Sequence, residues 1–430
     1  MLPPLLEDAD VAKFVAGRLV SEVGSRITRE GLPVAAILAA SASASELGLL
    51  AVLAMLPALV LGTAAGTIAD RTRRRPLMVI ADLVRAALLL TVPAAALLGR
   101  LTFAQVAAVT ALMAAITVLF QVADRGYVPS LVAAPRLAEA NALLAGADGV
   151  GESLGPALMG VLVQAFGVPF AMVGDAVSYV VSAISLISIR RTEAPPAFLP
   201  GRQGPSLGEE EASPALAAPA LWDGLRAVTR HPVLRPLAGL TATTAVFGGF
   251  FAALYELYVL RTLHLSAVSL GLLITCGGVG GLVGAALAPA WARHSGTGRT
   301  LLWTFALSAA ANVLVPLAGG GPVRSFVLLL GAQFIGDLFG TVFSIGAATL
   351  EQTITPGPRL GRVEGALQTL AGGLGVAGAL IAGWLGGAVG LHLAFWLAAA
   401  GNVLAVAWLL APRVRSLDAE APHTGFWHAL

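Results

Sequence analysis

Charge, lysine and cysteine are all scarce in this 430-residue chain: Asp, Glu, Lys and Arg together make up 12% of it, and there is a single cysteine. Each scarcity excludes a class of function. Cys276 alone can neither close an internal disulfide nor supply a thiolate set for a metal. Lys13 is the one lysine and lies in no G-x-x-x-x-G-K-[ST] setting, so the phosphate loop of an ATP-driven machine is absent. The six histidines form no H-E-x-x-H pair, and no nucleophile–base constellation stands out. A non-enzyme without cofactor or metal is expected. The first thirteen residues carry Glu7, Asp8 and Asp10 and lack an apolar core, so no cleavable signal peptide is expected there.

What fills the chain instead is apolar sequence. Hydrophobic residues make up 57%, the mean hydropathy is +0.84, and there are 50 glycines. That composition belongs to a lipid bilayer, where glycine lets helix backbones approach closely. About 20 apolar residues make one helical span, and the pattern divides into 13–40, 45–69, 77–98, 103–122, 142–166, 170–189, 233–260, 268–288, 300–317, 326–350, 366–389 and 391–410. An all-α integral membrane protein of twelve transmembrane helices is expected, with no large extramembrane domain. The formal net charge of +2 gives no reason to expect a nucleic-acid partner, and the chain is read as a monomer.

The distribution of charge fixes the orientation. Between the runs 47–69 and 77–98 stands Gly66-Thr67-Ile68-Ala69-Asp70-Arg71-Thr72-Arg73-Arg74-Arg75-Pro76. Its arginines cannot sit in hydrocarbon, and loops rich in arginine stay on the cytoplasmic side. Counting outward from that loop, alternate connections hold Lys13, Arg125, Arg136, Arg190, Arg191, Arg202, Arg226, Arg230, Arg235, Arg293, Arg299, Arg359, Arg362, Arg413 and Arg415, while the opposite ones hold Arg100, Arg261 and Arg324. Both termini are therefore expected in the cytoplasm, in a multi-pass protein of the inner membrane.

The longest connection opens with Pro195-Pro196, Pro200, Pro205 and Glu209-Glu210-Glu211, and turns amphipathic around 221–229. A flexible linker followed by a surface helix is expected. The division is then a six-helix half at 1–189, a linker at 190–232, a second six-helix half at 233–410 and a tail at 411–430. The halves also correspond in sequence. Pro135-Arg136-Leu137 recurs 223 residues later as Pro358-Arg359-Leu360, and Leu59-Val60 as Leu282-Val283. Ala142-Leu143, Gly149 and Gly151 recur 224 residues later as Ala366-Leu367, Gly373 and Gly375. A near-constant offset argues for a parallel internal repeat.

The basic loop, of the form G-x-x-x-D-R-x-x-R-R, resembles the loop between helices 2 and 3 of the major facilitator superfamily, with Arg73 where a glycine is usual. The resemblance implies a cytoplasmic gate at Gly66, Asp70, Arg71, Arg74 and Arg75, and Asp82 and Arg85 are expected to join it. In the fifth span Gly151, Gly155, Pro156 and Gly160 stand in G-x-x-x-G-P-x-x-x-G, similar to the fifth-helix motif of facilitator antiporters and exporters, with Met159 replacing the first glycine of the closing pair. Asp124-Arg125-Gly126-Tyr127-Val128-Pro129, Ala140-Asn141-Ala142, Asp223-Gly224-Leu225-Arg226 and Arg230-His231-Pro232 resemble the bacterial siderophore-exporter (enterobactin-type) and macrolide-efflux branch.

A charge at mid-bilayer costs about 2.5 to 3.5 kcal/mol on insertion scales, so each needs a reason. Arg18, Glu22, Arg26 and Glu30 follow one another at four-residue spacing on the first helix. That face either lines the substrate path or forms a self-satisfied ladder. Glu22, between two arginines, is expected to stay ionised and to carry protons poorly. Asp148 and Glu152 share a face of the fifth helix with no arginine of its own helix beside them. Burial without a counter-charge would let one take up a proton near neutral pH; alternatively they pair with Arg18 or Arg26. The resemblance does not support a coupling role for them, because the branch generally carries uncharged residues there. Asp337, one turn after Gln333 in the tenth span, is a second coupling candidate, expected to be buried.

Together these features imply secondary active export of a small amphipathic compound, a drug, siderophore or other natural product, by proton antiport with alternating access. Import or proton-independent facilitation by the same fold is the nearest alternative. A non-transporting membrane scaffold or sensor is the other.

Overall fold

A computed structural model describes residues 4–191, 193 and 214–412, apart from the side chains of Pro4, Thr63, Asp70, residues 214–221, Ser295 and Pro358. Every regular element among them is helical: α1 (Ala9–Leu38), α2 (Ala44–Arg71), α3 (Arg74–Leu97), α4 (Phe103–Leu131), α5 (Leu137–Phe166), α6 (Val168–Ser188), α7 (Pro214–Arg230), α8 (Leu234–Leu257), α9 (Ala267–Ser295), α10 (Thr297–Asn312), α11 (Leu314–Leu317), α12 (Pro322–Ile354), α13 (Gly357–Val389) and α14 (Leu391–Leu409). Ten described helical segments are long and apolar enough to cross a membrane. The charge-bearing α1 and α5 are not among them. Large apolar side chains stand on the surface, Val323, Leu404 and Ile184 among them, as lipid-facing helices require.

Helix starts and turns follow local chemistry. Asp8 caps α1 by accepting from the Asp10 N–H at 3.0 Å, and Thr102 caps α4 through the Gln105 N–H at 3.3 Å. The α5–α6 and α13–α14 turns are made by Gly167 and Gly390, at φ 84° and 89°, a conformation open to glycine at little cost. These two glycines are again 223 residues apart. Pro33, Pro57, Pro93, Pro129, Pro156 and Pro289 all lie inside helices, which membrane helices tolerate.

The sequence-based expectation for the basic loop needs correction. Helix α2 continues to Arg71 and α3 begins at Arg74, so the break is Thr72 and Arg73 alone. What allows so abrupt a restart is Glu193, whose carboxylate accepts the N–H groups of Arg74 at 2.8 Å and Arg75 at 3.1 Å. An anion at a helix N-terminus satisfies orphan donors and meets the positive end of the dipole.

The helices gather into two compact units. The first is Met1–Ser43, Leu53–Ala212 and Ser266–Thr275; the second is Ala44–Val52, Ser213–Leu265 and Cys276–Leu430. In the first, α1 packs on α5 and α6, and α3 on α4 and α6. In the second, α8 packs on α13 and α14, and α10 on α12 and α14. The same neighbours recur at the same places in the helix order, as an internal repeat demands. One core of the first unit joins Phe14, Met78, Phe120, Tyr127 and Leu186; its counterpart joins Leu234, Leu237, Leu301, Phe305 and Val363.

The charged ladder of the first unit

Helix α1 is held close on two faces. Along one run Gly17, Gly24 and Gly31, at seven-residue spacing, and a Cβ at Gly24 would stand 2.0 Å from Ser178 Oγ and 2.4 Å from Asp175 Oδ1 of α6. On the other face, a Cβ at Gly151 would meet Glu22 Cγ at 2.8 Å, and one at Gly155 would meet Arg26 Cβ at 2.3 Å. Small residues at a crossing allow such an approach. The glycine–proline segment of α5 thus brings its carboxylates against the α1 charges. Farther along the same segment, Gly160 lies against Ala267 and Val268, and Pro156 against Gly271.

Arg18 reaches Asp124 of α4 at 2.5 Å, Asp148 of α5 at 3.4 Å and Glu22 at 3.8 Å. Arg26 holds Glu22 at 3.2 Å and also bonds to Glu152. Arg29 completes the ladder, 3.0 Å from both Glu152 and Glu30. Glu30 therefore pairs with its sequence neighbour and does not extend the four-residue series. The lack of an arginine on their own helix did not leave Asp148 and Glu152 unpartnered, because α1 supplies three. Nor are they deeply buried: their side chains are 45% and 46% exposed, against 8% for Asp124. Asp124 entered the sequence reading as part of a family motif, and its pairing role was missed. A cavity of about 10 Å³ beside it, lined by Arg18, Asp124, Ser182 and Ser185, has room for about one water molecule.

Asp82 and Arg85 form a separate buried pair on α3. The guanidinium lies 4.3 Å from the ring centroids of both Phe120 and Tyr179, a cation–π arrangement that offsets part of its desolvation. Among the described contacts this pair does not join the loop arginines, contrary to expectation. Burial between α4 and α6 is what separates it. Fully buried Asp175 accepts from Ser178 Oγ at 2.8 Å through Oδ1, while Oδ2 has no hydrogen-bond partner among the described residues.

The loop arginines anchor the first unit. Arg74 donates to the Gly126 carbonyl at 2.7 Å and Arg75 to the Ile187 carbonyl at 2.5 Å. Arg71 is exposed, Gly66 has open space beside it, and the Asp70 side chain lies outside the described residues. Nearby, Asp10 accepts from the Arg190 N–H at 3.1 Å, the Arg191 N–H at 2.9 Å and Lys13 Nζ at 3.3 Å. The Arg190 N–H is the main cause, with Arg191 and Lys13 assisting, that holds the Asp10 carboxyl below the usual range. In the second unit Asp337 is exposed, not buried, and lies directly over Gly277 of α9, whose missing side chain makes room for it.

Three comparisons bear on this arrangement. The family described as transmembrane secretion effector matches residues 5–429. The chain is 28% identical over 409 residues to the multidrug efflux pump Tap of Mycolicibacterium fortuitum, covering 93% of this chain and 95% of that protein. It is 29% identical over 388 residues to the MFS-type transporter YfiS of Bacillus subtilis (strain 168), covering 87% of each. Among solved structures, a bacterial homologue of the iron transporter ferroportin in its inward-facing state aligns with a TM-score of 0.71 at 16% identity, over 95% of this chain and 99% of that one. A bacterial homologue of the human lysosomal transporter Spinster aligns with a TM-score of 0.68 at 15% identity, over 98% and 100%. At such identities these structures speak to the fold.

Proposed function

As a member of the transmembrane secretion effector family, in the drug-efflux branch of the major facilitator superfamily, the chain is a multi-pass membrane transporter of small molecules, and we propose that it exports an amphipathic compound from the cytoplasm in exchange for protons. Helices α1 and α5 are then the two spans still needed to make twelve. Each has 30 residues, which at about 1.5 Å per residue is enough to cross about 30 Å of hydrocarbon. Transport follows alternating access, with two six-helix halves at 1–189 and 233–410 and both termini in the cytoplasm. The working unit is a monomer.

The observation that carries this reading is the α1–α5 ladder. Its two α5 carboxylates, Asp148 and Glu152, are nearly half exposed, and charges so exposed on membrane-spanning helices need water or substrate beside them. The arginine bridges change the coupling step from the one expected. Protonation of Asp148 or Glu152 acts by breaking a bridge to α1, not by filling a desolvated carboxylate. Asp148 is the easier to release, since Arg18 keeps Asp124 and Glu22. Proton entry supplies about 2.3 kcal/mol per charge per 100 mV. Export is supported by the Tap likeness, the family's description and the glycine–proline segment. The pairing of both carboxylates also favours a second reading, proton-independent facilitation.

The test is proton movement in proteoliposomes with a trapped pH dye and a panel of cationic, neutral and anionic compounds. For antiport, at least one compound drives proton flux in the wild type and not in Asp148→Asn/Glu152→Gln. Compound movement without protons overturns coupling and leaves these carboxylates a structural role.

A further inference from the structure

Asp175 takes no part in the ladder, although it is fully buried in α6. Among the buried acids of the first unit, Asp82 has Arg85 and Asp124 has Arg18, whereas no arginine bonds to Asp175 among the described residues. Helices α1, α3 and α5 pack on α6. From α3, Arg85 acts on Asp175 without bonding to it, being held by Asp82 and lying against the rings of Phe120 and Tyr179. From α1 come Gly24, whose missing side chain admits the carboxylate, and Thr28, whose hydroxyl is turned to Met172 Sδ at 3.9 Å. The charges of α1 and α5 face each other instead: Arg18 meets Asp148, and Arg26 and Arg29 meet Glu152, Glu22 and Glu30. On α6 itself, the Tyr179 hydroxyl lies 3.0 Å from Ser25 Oγ.

A hydrogen is short at this place. Ser178 Oγ lies 2.8 Å from Asp175 Oδ1 and 2.8 Å from the Asp175 carbonyl oxygen, and one hydroxyl hydrogen cannot fully serve both acceptors. Asp175 Oδ2 has no hydrogen-bond partner among the described residues. A proton on the carboxyl removes the buried charge and supplies the missing donor, so that the acid donates to Ser178 Oγ and Ser178 donates to the carbonyl oxygen. The same face of α6 continues the line. Ser178, Ser182 and Ser185 follow Asp175 at three- and four-residue spacing, and Ser178 and Ser182 are buried. Ser182 and Ser185 line the one-water cavity beside Arg18 and Asp124, and Arg18 is the residue to which Asp148 bridges. At about 1.5 Å per residue the line spans about 15 Å.

We propose that Asp175 is a proton-binding site, loaded as the neutral acid, from which the α6 hydroxyls lead the proton to the ladder. The proton passes from the carboxyl oxygen to Ser178, Ser182 and water in the cavity, each hydroxyl accepting one hydrogen and giving one up. An Asp175 carboxylate remains, and Asp148 receives the proton that opens its bridge to Arg18. The inference rests on the antiport reading for the use of that proton, but not for its presence.

The test is infrared spectroscopy of the purified full chain in detergent near neutral pH, where a solvated aspartic acid is ionised, with proton movement in proteoliposomes measured on the same variants. The wild type shows the carbonyl band of a protonated carboxylic acid. The band is lost in Asp175→Asn and kept in Asp148→Asn, and Ser178→Ala shifts its frequency because the acid loses its hydrogen bond. A wild type without the band, or a band unchanged in Asp175→Asn, overturns the site. If Asp175→Asn does not fold, a band that Ser178→Ala leaves unshifted overturns it. In proteoliposomes Asp175→Asn loses compound-driven proton movement and Ser182→Ala slows it. Full proton movement in Asp175→Asn overturns delivery from Asp175 to Asp148. A wild type that moves the compound without protons overturns antiport, and the infrared band then decides the site by itself.

Discussion

Arg18 of α1 donates to Asp124 of α4 across 2.5 Å, and the two side chains are 15% and 8% exposed. They lie 106 residues apart in the chain, so one contact ties the first helix to the fourth before α5 is considered. The same guanidinium then reaches Asp148. A single arginine thus serves a buried carboxylate that needs it at all times and an exposed one that does not.

This asymmetry predicts the outcome of removing it. Arg18→Met leaves Asp124 buried without its partner, a loss of about 3 to 5 kcal/mol for a broken buried pair. Adding Asp124→Leu recovers most of that, because replacing both members by apolar groups is often close to neutral. Asp148→Asn alone shifts stability by about 1 kcal/mol or less, as expected for an exposed pair. Thermal melting of the four proteins in one detergent checks the ordering, and a double variant as unstable as Arg18→Met would show that the pair is not the source of the loss.

The close approach of α1 to its neighbours predicts a second ordering. At Gly24 an alanine methyl would collide with Ser178 and Asp175, and overpacking of this kind costs about 1 to 3 kcal/mol. Gly155→Ala meets Arg26 Cβ at 2.3 Å and also the Val23 carbonyl oxygen at 3.1 Å, so backbone must move and the ladder shifts with it. Gly62→Ala is the control, with open space beside it; it stabilises by about 0.5 to 1 kcal/mol through helix propensity. Melting temperatures should fall for the first two and hold or rise for the third.

Much of this was legible in the sequence, for physical reasons that also explain the failures. Apolar runs fix where helices lie because a bilayer leaves few alternatives, and each expected span has a helix over it. Spacing of four put Arg18, Glu22 and Arg26 on one face, and Asp148 and Glu152 on another. What spacing along one helix cannot give is the partner on a different helix, so Asp124 and Arg29 went unassigned. Charge ended the fourth span too early for the same reason: α4 runs through Asp124 and Arg125 to Leu131 because Asp124 has Arg18. Glu193 was invisible, standing at the edge of a linker with no pattern to mark it as the acceptor for α3. Asp82 and Arg85 were assigned by proximity in sequence to the loop, whereas packing against Phe120 and Tyr179 decides their place.

The latch at Asp10 predicts how stability responds to acid. Its carboxylate accepts the N–H groups of Arg190 and Arg191 where the chain leaves α6, and these hold its pKa below the usual range. A group depressed in the folded state contributes stability that is fully present above its unfolded value, about pH 3.9, and is lost as pH falls through the folded value. The melting temperature therefore carries no Asp10 contribution to its slope between about pH 6 and 8, and the stability that Asp10 contributes begins to be lost as pH drops below about 4. Asp10→Asn removes the charge at every pH: its melting temperature lies below that of the wild type near neutrality, and the gap narrows as acid protonates the wild-type carboxyl. Parallel melts of the two proteins from neutral pH to about pH 3 check the sign. A gap that widens in acid would mean that the carboxylate does not hold the Arg190 and Arg191 amides in the folded protein.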